Sequence, residues 1–319
     1  MSYENKIATI FGGTGFIGKQ IVRELAALGI RVKVACRIPE RAYELRPCGS
    51  VGQIVPVACD YSDDKSIASV VAGSDFVINC VGILFQKRGN GFDRIHTELP
   101  ARIAKTCKKA EIERFVHISA LGIESSSSKY AKSKLEGEKA VKKAFSSVTI
   151  LRPSVVFGPD DNFFNMFAKM SMIMPALPLI GGGKTKFQPV YVGDVADAVI
   201  QALTMSDQGK DTPLGKTYEL GGPEIVSFKQ IYQRLFGYTG RPRALISIPY
   251  CAAKVQGCVL GILPNPPLTC DQVESLKTDS VVQEKAFDLK DLAITPTAMQ
   301  SILPEYLERF KAGGRYGTK

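Results

Sequence analysis

The chain has 319 residues, 45% of them hydrophobic and 23% charged, a balance that supports a sizeable core and excludes a disordered polymer. No apolar run of about eighteen residues is free of charge and proline, which excludes a spanning helix. The formal net charge of +10 calls for a nucleic acid, a phosphate-bearing ligand or an acidic partner surface.

That charge is localised: residues 1–50 contribute +4 and residues 101–150 contribute +6, and the remainder balances to zero. Two histidines and eight cysteines without a Cys-x-x-Cys pair argue against a metal site. The cysteines lie mostly inside apolar runs such as VKVAC and FVINC and are expected to be buried, reduced thiols. The N-terminal MSYENKIATIF carries no signal-peptide or transit pattern. The expected location is cytoplasmic, either free or peripheral on the inner face of the cytoplasmic membrane.

The first predicted strand, Lys6–Phe11, runs directly into Gly12, Gly15 and Gly18 and then a helix over Gly15–Leu28. Gly12 suits a tight turn, Gly15 lets the backbone approach a pyrophosphate, and Gly18 lets the helix pack against the strand. The strand Arg31–Cys36 follows and ends on Cys36-Arg37, where an NAD-specific protein usually carries an acid. Arg37, with Arg41 one helical turn on, would pair with a 2′-phosphate and so favours NADP(H); both also suit a solvated helix surface. The strand Gln53–Ala58 precedes Asp60, an expected acceptor for the adenine amine, and a helix follows over Asp63–Val71. The strand Asp75–Cys80 delivers Val81 and Gly82 to the other side of the cofactor. A helix over Phe92–Ala110 leads to the strand Arg114–Ser119, and a lysine-rich helix over Lys129–Phe145 leads to the strand Ser147–Leu151. On that last helix Tyr130 and Lys134 share one face. An ammonium there would lower the phenol pKa and hold the nicotinamide ribose.

Near-continuous apolar strands separated by helices predict a doubly wound α/β fold with a parallel sheet. Residues 1–152 form its dinucleotide-binding core. Residues 153–319 are expected to build a smaller lobe interleaved with the same sheet. In that half the pattern predicts a Met-rich loop over Asn165–Ile180, strands Phe187–Val192 and Thr217–Leu220, and helices Gly193–Leu203 and Ser227–Phe236. Asp194 is read as a cap for its helix, and His96 and His117 as packed or capping residues. Ala244–Leu263 reads either as lobe core or as an amphipathic surface helix. Met166, Met170, Met172 and Met174 suit a flexible apolar lid and ordinary packing equally.

GGTGFIG, the strand-end Ser119, the Tyr130/Lys134 pair, RPSVVFGP and QPVYVGDVADAV together resemble the short-chain dehydrogenase/reductase superfamily in its extended, atypical form, over about residues 6–222. The resemblance implies catalytic roles, active or vestigial, for Ser119, Tyr130 and Lys134. The expected cofactor contacts are then Gly12, Thr14, Gly15, Phe16, Ile17, Gly18, Arg37, Arg41, Asp60, Val81, Gly82, Ser119, Tyr130, Lys134 and Pro153. Ser119 and Tyr130 stand about half as far apart as in extended enzymes, which puts the serine's catalytic equivalence and a sugar-nucleotide pocket in doubt. A narrower likeness runs from SKYAKSKLEGEKAVKKAF through PLIGGGKTKFQPVYVGDVADAV and PPLTCDQVESLKTDSVV to ILPEYLERF. These stretches resemble the NADPH-binding accessory subunits of respiratory complex I, subunit nine of its alpha subcomplex, and their bacterial relatives. That likeness implies a tightly held, structural NADPH and partners among the peripheral-arm subunits near the quinone site. The basic helices also suit an anionic lipid surface. An active NADPH-dependent reductase or epimerase using Tyr130 and Lys134 is the alternative. Nucleic-acid binding ranks last, because no array of interleaved aromatic and basic residues is present.

Overall fold

The six apolar runs of the first half become parallel strands of one sheet: β1 (Ile7–Phe11), β2 (Arg31–Cys36), β3 (Ile54–Ala58), β4 (Phe76–Asn79), β5 (Arg114–Ile118) and β6 (Thr149–Pro153). They are ordered 3-2-1-4-5-6 across the sheet. The structure, a computed structural model, describes residues 3–86, 91–205, 212–264, 266–311 and 313. Helices α1 (Phe16–Ala27), α2 (Asp64–Val71), α3 (Leu99–Lys109) and α4 (Lys129–Ala144) fill the crossovers. In α1 the residues Ile21, Val22 and Leu25 are fully buried, as their helical spacing requires. The helix expected over 92–110 divides: Asp93–Glu98 is a π-helical segment running into α3. Between β2 and β3 the chain makes 3-10 turns over Pro39–Cys48.

The second half continues with β7 (Val156–Phe157), α5 (Phe164–Ile173), β8 (Ala176–Ile180), β9 (Lys186–Phe187), β10 (Val190–Tyr191) and α6 (Val192–Thr204). After these come β11 (Thr217–Leu220), β12 (Val226–Ser227), α7 (Phe228–Thr239), β13 (Ala244–Ile248), α8 (Tyr250–Leu260), α9 (Cys270–Ser275) and α10 (Met299–Leu307). β11 pairs in parallel with β6 and so brings the second half into the same, now seven-stranded, sheet. Alternate residues of β1, β4 and β5 point to opposite faces. Ile10, Ile78 and Val116 pack with α1 and α6, while Phe11, Val77 and Phe115 pack with α2, α3 and α4. A third core, rich in aromatics, joins Phe157, Phe164, Phe167, Phe228 and Tyr232 to Leu303 and Leu307 of α10.

Several local expectations are corrected. The Met-rich segment is not a loop but α5 and β8: Met166 and Met170 pack on the third core, while Met172 and Met174 are exposed. The expected strand 187–192 is interrupted at Gln188-Pro189, since proline cannot donate to a ladder. Ala244–Leu263 is a strand followed by a helix, in which Ala253 and Gly257 are buried and Val255 and Val259 exposed. Asp194 does not cap α6. It accepts from the Thr297 backbone N–H and hydroxyl, both at 2.7 Å, and pins the C-terminal segment to that helix. The cysteines are not uniformly buried thiols either. Cys258 and Cys270 form a disulfide across α8 and α9, with Cα atoms 5.4 Å apart, and Cys48 and Cys251 are exposed. These two consecutive helices meet there because Gly257 lets the Thr269–Cys270 backbone close on α8.

No helix among the described residues is long and apolar enough to cross a membrane. Helix α4 approaches the π-helical segment closely at Gly137, where a Cβ would fall on the His96 carbonyl oxygen. Gly137→Ala should therefore lower stability by about 2 kcal/mol, as overpacking of a dense interface does. Urea unfolding measures the effect, and an unchanged midpoint would show that α4 can retreat at no cost.

Candidate functional site

The strand order reverses between β1 and β4, so the loops after these strands diverge and leave a crevice at their carboxyl ends. Gly12 follows β1 with φ of +80°, and a Cβ there would lie 2.9 Å from the Cys80 carbonyl carbon. Only glycine fits that approach. The Gly15 N–H donates to the Gly12 carbonyl at 3.0 Å, closing the turn. A Cβ on Gly18 would strike the same carbonyl, so this third glycine lets α1 begin against the turn. α1 has no side-chain cap and no acid in its first turn. The N–H groups of Phe16, Ile17 and Gly18 are thus presented at the crevice, with the helix dipole behind them. Gly15 is exposed and Thr14 half-buried at this mouth.

Thr14 also lines a cleft of about 380 Å3 with Glu40, Arg41 and Glu44. Sequence reasoning placed Arg41 here and missed the two acids. Glu44 is engaged by Lys19 of α1 at 2.6 Å, which holds the 3-10 segment against the glycine turn. Arg37 is exposed, with its guanidinium 6.0 Å from the centre of the Tyr61 ring. The Tyr61 hydroxyl donates to the Ala35 carbonyl at 2.8 Å, fixing that ring beneath the arginine. Asp60 is exposed and accepts from the Ser62 N–H and hydroxyl at 2.8 and 2.7 Å. These bonds hold its carboxyl below the usual range, so it is an ionised acceptor.

The other end of the crevice is a buried polar cluster under α4. The Val81 N–H donates to Asn79 Oδ1 at 3.1 Å, which turns the Asn79 amide nitrogen toward His117 Nδ1, also at 3.1 Å. His117 therefore carries its proton on Nε2. Both Nε2 and the hydroxyl of Ser119, which directly follows β5, are buried with no hydrogen-bond partner among the described residues. Next to them Ile83 donates its N–H to His96 Nε2 at 3.0 Å, so the His96 proton sits on Nδ1 and is given to Ser133 Oγ at 2.9 Å. Ser133 in turn donates to the Tyr130 carbonyl at 2.8 Å. This relay pins the loop carrying Val81 and Gly82 to the first turn of α4. Both histidines are packed, as the sequence suggested, yet they also place the residues expected at the cofactor.

Tyr130 and Lys134 share a face of α4 as their spacing requires, but their electrostatics differ from expectation. Of the six lysines on α4 only Lys134 is buried. Its ammonium donates to the Ile118 carbonyl at 3.2 Å, and a Cβ on Gly82 would lie 3.4 Å from it. Burial lowers its pKa to about 8, against the opposing pull of Glu138. Tyr130 is half-buried, edge-on to His96 and Phe92 with ring centres 5.3 and 5.9 Å away. Its phenol is pushed up to about 12 by burial; the expected lowering by the lysine does not occur. Pro153, buried at the end of β6, accepts at its carbonyl from the Leu121 N–H at 2.9 Å and borders the Ser119 side of the cluster.

One turn further along α4, Glu138 receives Arg152 Nε and Nη2 at 2.9 and 2.7 Å, with both side chains buried. Glu219 of β11 lies 3.7 Å from the same guanidinium and Glu124 2.8 Å. Tyr130, Lys134 and Glu138 fall at successive four-residue steps, so the periodicity could have flagged Glu138; nothing local identified Arg152 as its partner. Among the described residues no group of three or more His, Cys, Asp or Glu side chains is placed to hold a metal ion.

A glycine turn against an uncapped helix at a sheet's switch point, with unpartnered donors at its far end, fits an elongated ligand with a diphosphate centre. This is a nicotinamide-dinucleotide-binding protein of the extended reductase and epimerase class. The chain belongs to the NAD dependent epimerase/dehydratase family, whose profile matches residues 8–221, and within it to the family of complex I alpha subcomplex subunit 9. It is 34% identical to the "NADH dehydrogenase [ubiquinone] 1 alpha subcomplex subunit 9, mitochondrial" of Arabidopsis thaliana, over 97% of this chain and 79% of that protein. The Mus musculus protein of the same name is also 34% identical, over 97% of this chain and 82% of its own. In fold the chain resembles an NADPH-dependent quinone oxidoreductase from Escherichia coli, with a TM-score of 0.72 at 18% identity over 94% of this chain and 98% of that one.

Burial holds His96 neutral until about pH 3, whereas the unfolded histidine takes up its proton near 6.5. Unfolding therefore binds a proton in that window, and stability falls with falling pH by up to about 1.4 kcal/mol per pH unit. His96→Gln should remove this share of the slope between about pH 6 and pH 4, read from unfolding free energies. An unaltered slope would mean that His96 titrates in the native protein.

Proposed function

We propose that this chain is a peripheral accessory subunit of NADH:ubiquinone oxidoreductase that holds NADP(H) as a structural, non-turning-over group. The similarity along nearly its whole length to mitochondrial subunits carrying that name supports the assembly. The observation that carries a structural role over a catalytic one is Tyr130. An acid or base working near neutral pH needs a pKa near neutral; burial pushes this phenol upward, and the Lys134 ammonium that would counter it is given to the Ile118 carbonyl at 3.2 Å. The Ser119 hydroxyl is buried without a hydrogen-bond partner among the described residues, and we assign it to holding the ligand.

A bound nicotinamide dinucleotide would supply hydride chemistry if it turned over. The residues proposed to hold it divide by region. Gly12, Thr14, Gly15, Phe16, Ile17 and Gly18 offer backbone N–H groups and close approach to the diphosphate. Arg37 and Arg41 would meet the 2′-phosphate and Asp60 the adenine amine. Val81, Gly82, Ser119, Tyr130, Lys134 and Pro153 would enclose the nicotinamide half, with the Lys134 ammonium donating to the ribose. The preference for NADP(H) rests on Arg37 standing where an acid would select NAD(H). For docking, the exposed lysines of α3 and α4 (Lys105, Lys108, Lys109, Lys132, Lys139, Lys142 and Lys143) offer a positive surface to peripheral-arm subunits near the quinone site. The same charges would suit an anionic lipid surface. A second reading, an NADPH-dependent reductase or epimerase, is favoured by the retained Tyr130/Lys134 pair alone.

Two measurements test this reading. Extracted from membranes in mild detergent, the protein should travel with complex I subunits and release NADPH only on denaturation. Tyr130→Phe should leave that assembly intact. A free protein that oxidises NADPH with a small carbonyl compound, and stops when Tyr130 is replaced, would overturn the structural reading. For cofactor choice, Arg37→Ala should weaken NADPH about tenfold, the loss of one charge-assisted contact, and change NADH little. Equal losses would remove Arg37 from the 2′-phosphate.

A further inference from the structure

The first turn of α4 is tied down from the far end of the chain. Asp271, in the first turn of α9, accepts from the Lys129 N–H at 2.7 Å through Oδ1 and from the Tyr130 N–H at 2.9 Å through Oδ2. The Ser128 hydroxyl accepts from the Ala131 N–H at 3.1 Å. The first three N–H groups of α4, unsatisfied within the helix itself, therefore all have acceptors, and one tertiary carboxylate supplies two of them. Such bonds are charge-assisted, and the carboxylate also sits at the positive end of the helix dipole.

Asp271 stands on a rigid platform. α9 opens with a capping box between Thr269 and Gln272, the Cys258–Cys270 disulfide joins it to α8, and Val273 is fully buried. A second tie runs alongside, from the Ser127 hydroxyl to Glu274 Oε1 at 2.8 Å. The peptide of Tyr130 is thus gripped on both sides: Asp271 takes its N–H, and Ser133, held by His96, donates to its carbonyl. Ser128 alone would satisfy an ordinary helix start; a bidentate carboxylate from 141 residues away fixes where the helix stands over the sheet.

We propose that Asp271 is a positioning residue for the dinucleotide: by capping α4 it holds Tyr130 and Lys134 at the nicotinamide ribose. The inference rests on the assignment of Tyr130 and Lys134 to the cofactor. It makes the C-terminal lobe part of the cofactor site without touching the ligand.

The test compares two ligands on the whole 319-residue chain, unfolded to release its nucleotide and refolded without it: NADPH, and adenosine 2′,5′-bisphosphate, which carries no nicotinamide ribose. Asp271→Ala should weaken NADPH about tenfold, within the range for loss of a helix cap, and leave the bisphosphate unchanged. Asp271→Asn, which keeps the size and one acceptor oxygen, should fall between and serves in its place if the alanine variant does not fold. Lys134→Met is measured in parallel. Equal weakening of both ligands by the Asp271 variants would reduce Asp271 to general stability and overturn the proposal. So would NADPH binding that ignores the Asp271 variants while Lys134→Met weakens it, an outcome that leaves the cofactor assignment standing. If Lys134→Met itself leaves NADPH unaffected, the assignment falls and the proposal falls with it.

Discussion

The nicotinamide end of this protein depends on how closely helix α4 lies against the sheet and the π-helical segment. Gly137 allows backbone to meet backbone at His96, and the buried Arg152–Glu138 pair then locks the helix to β6. Burying such charges gains little net stability over an apolar contact. What the pair supplies is geometry: a bidentate fork admits one orientation of the helix, and Glu219 carries the constraint into β11. With α4 fixed, Lys134 reaches the Ile118 carbonyl and Ser133 reaches His96.

The closeness that assembles the cluster also sets its chemistry. Excluding water from beneath α4 raises the Tyr130 phenol and lowers the Lys134 ammonium, each shift disfavouring the charged form. A phenol made acidic by a neighbouring cation needs that cation free to face it, and here the ammonium is given to a main-chain carbonyl. As packed, the site keeps its phenol protonated and its ammonium on a main-chain carbonyl.

Much of the fold was legible because it is local. β2 and β11 were placed to the residue, and the boundaries of α1, α2 and α4 to within one or two, since apolar periodicity, helix caps and glycines act over a few residues. The glycine turn was equally legible: Gly12 and Gly18 are required by contacts within one strand–turn–helix unit. The second half was read less well. The sequence reads as a loop over α5 and β8 because their methionines and prolines weaken any periodic signal; phenylalanines docking between α5, α7 and β9 fix the helix instead, and pairing with β13 fixes the strand.

The sequence by itself determined the parallel sheet, the crevice at its switch point and the candidate residues at both ends, because these follow from short-range pattern. Only the tertiary structure decided what those residues can do. That Lys134 is the one buried lysine of the six on α4, that Asp194 holds Thr297, and that Asp271 caps α4 all depend on elements far apart along the chain. Burial and partnership set pKa and hydrogen bonding, and both belong to the packed molecule, not to any stretch of the chain.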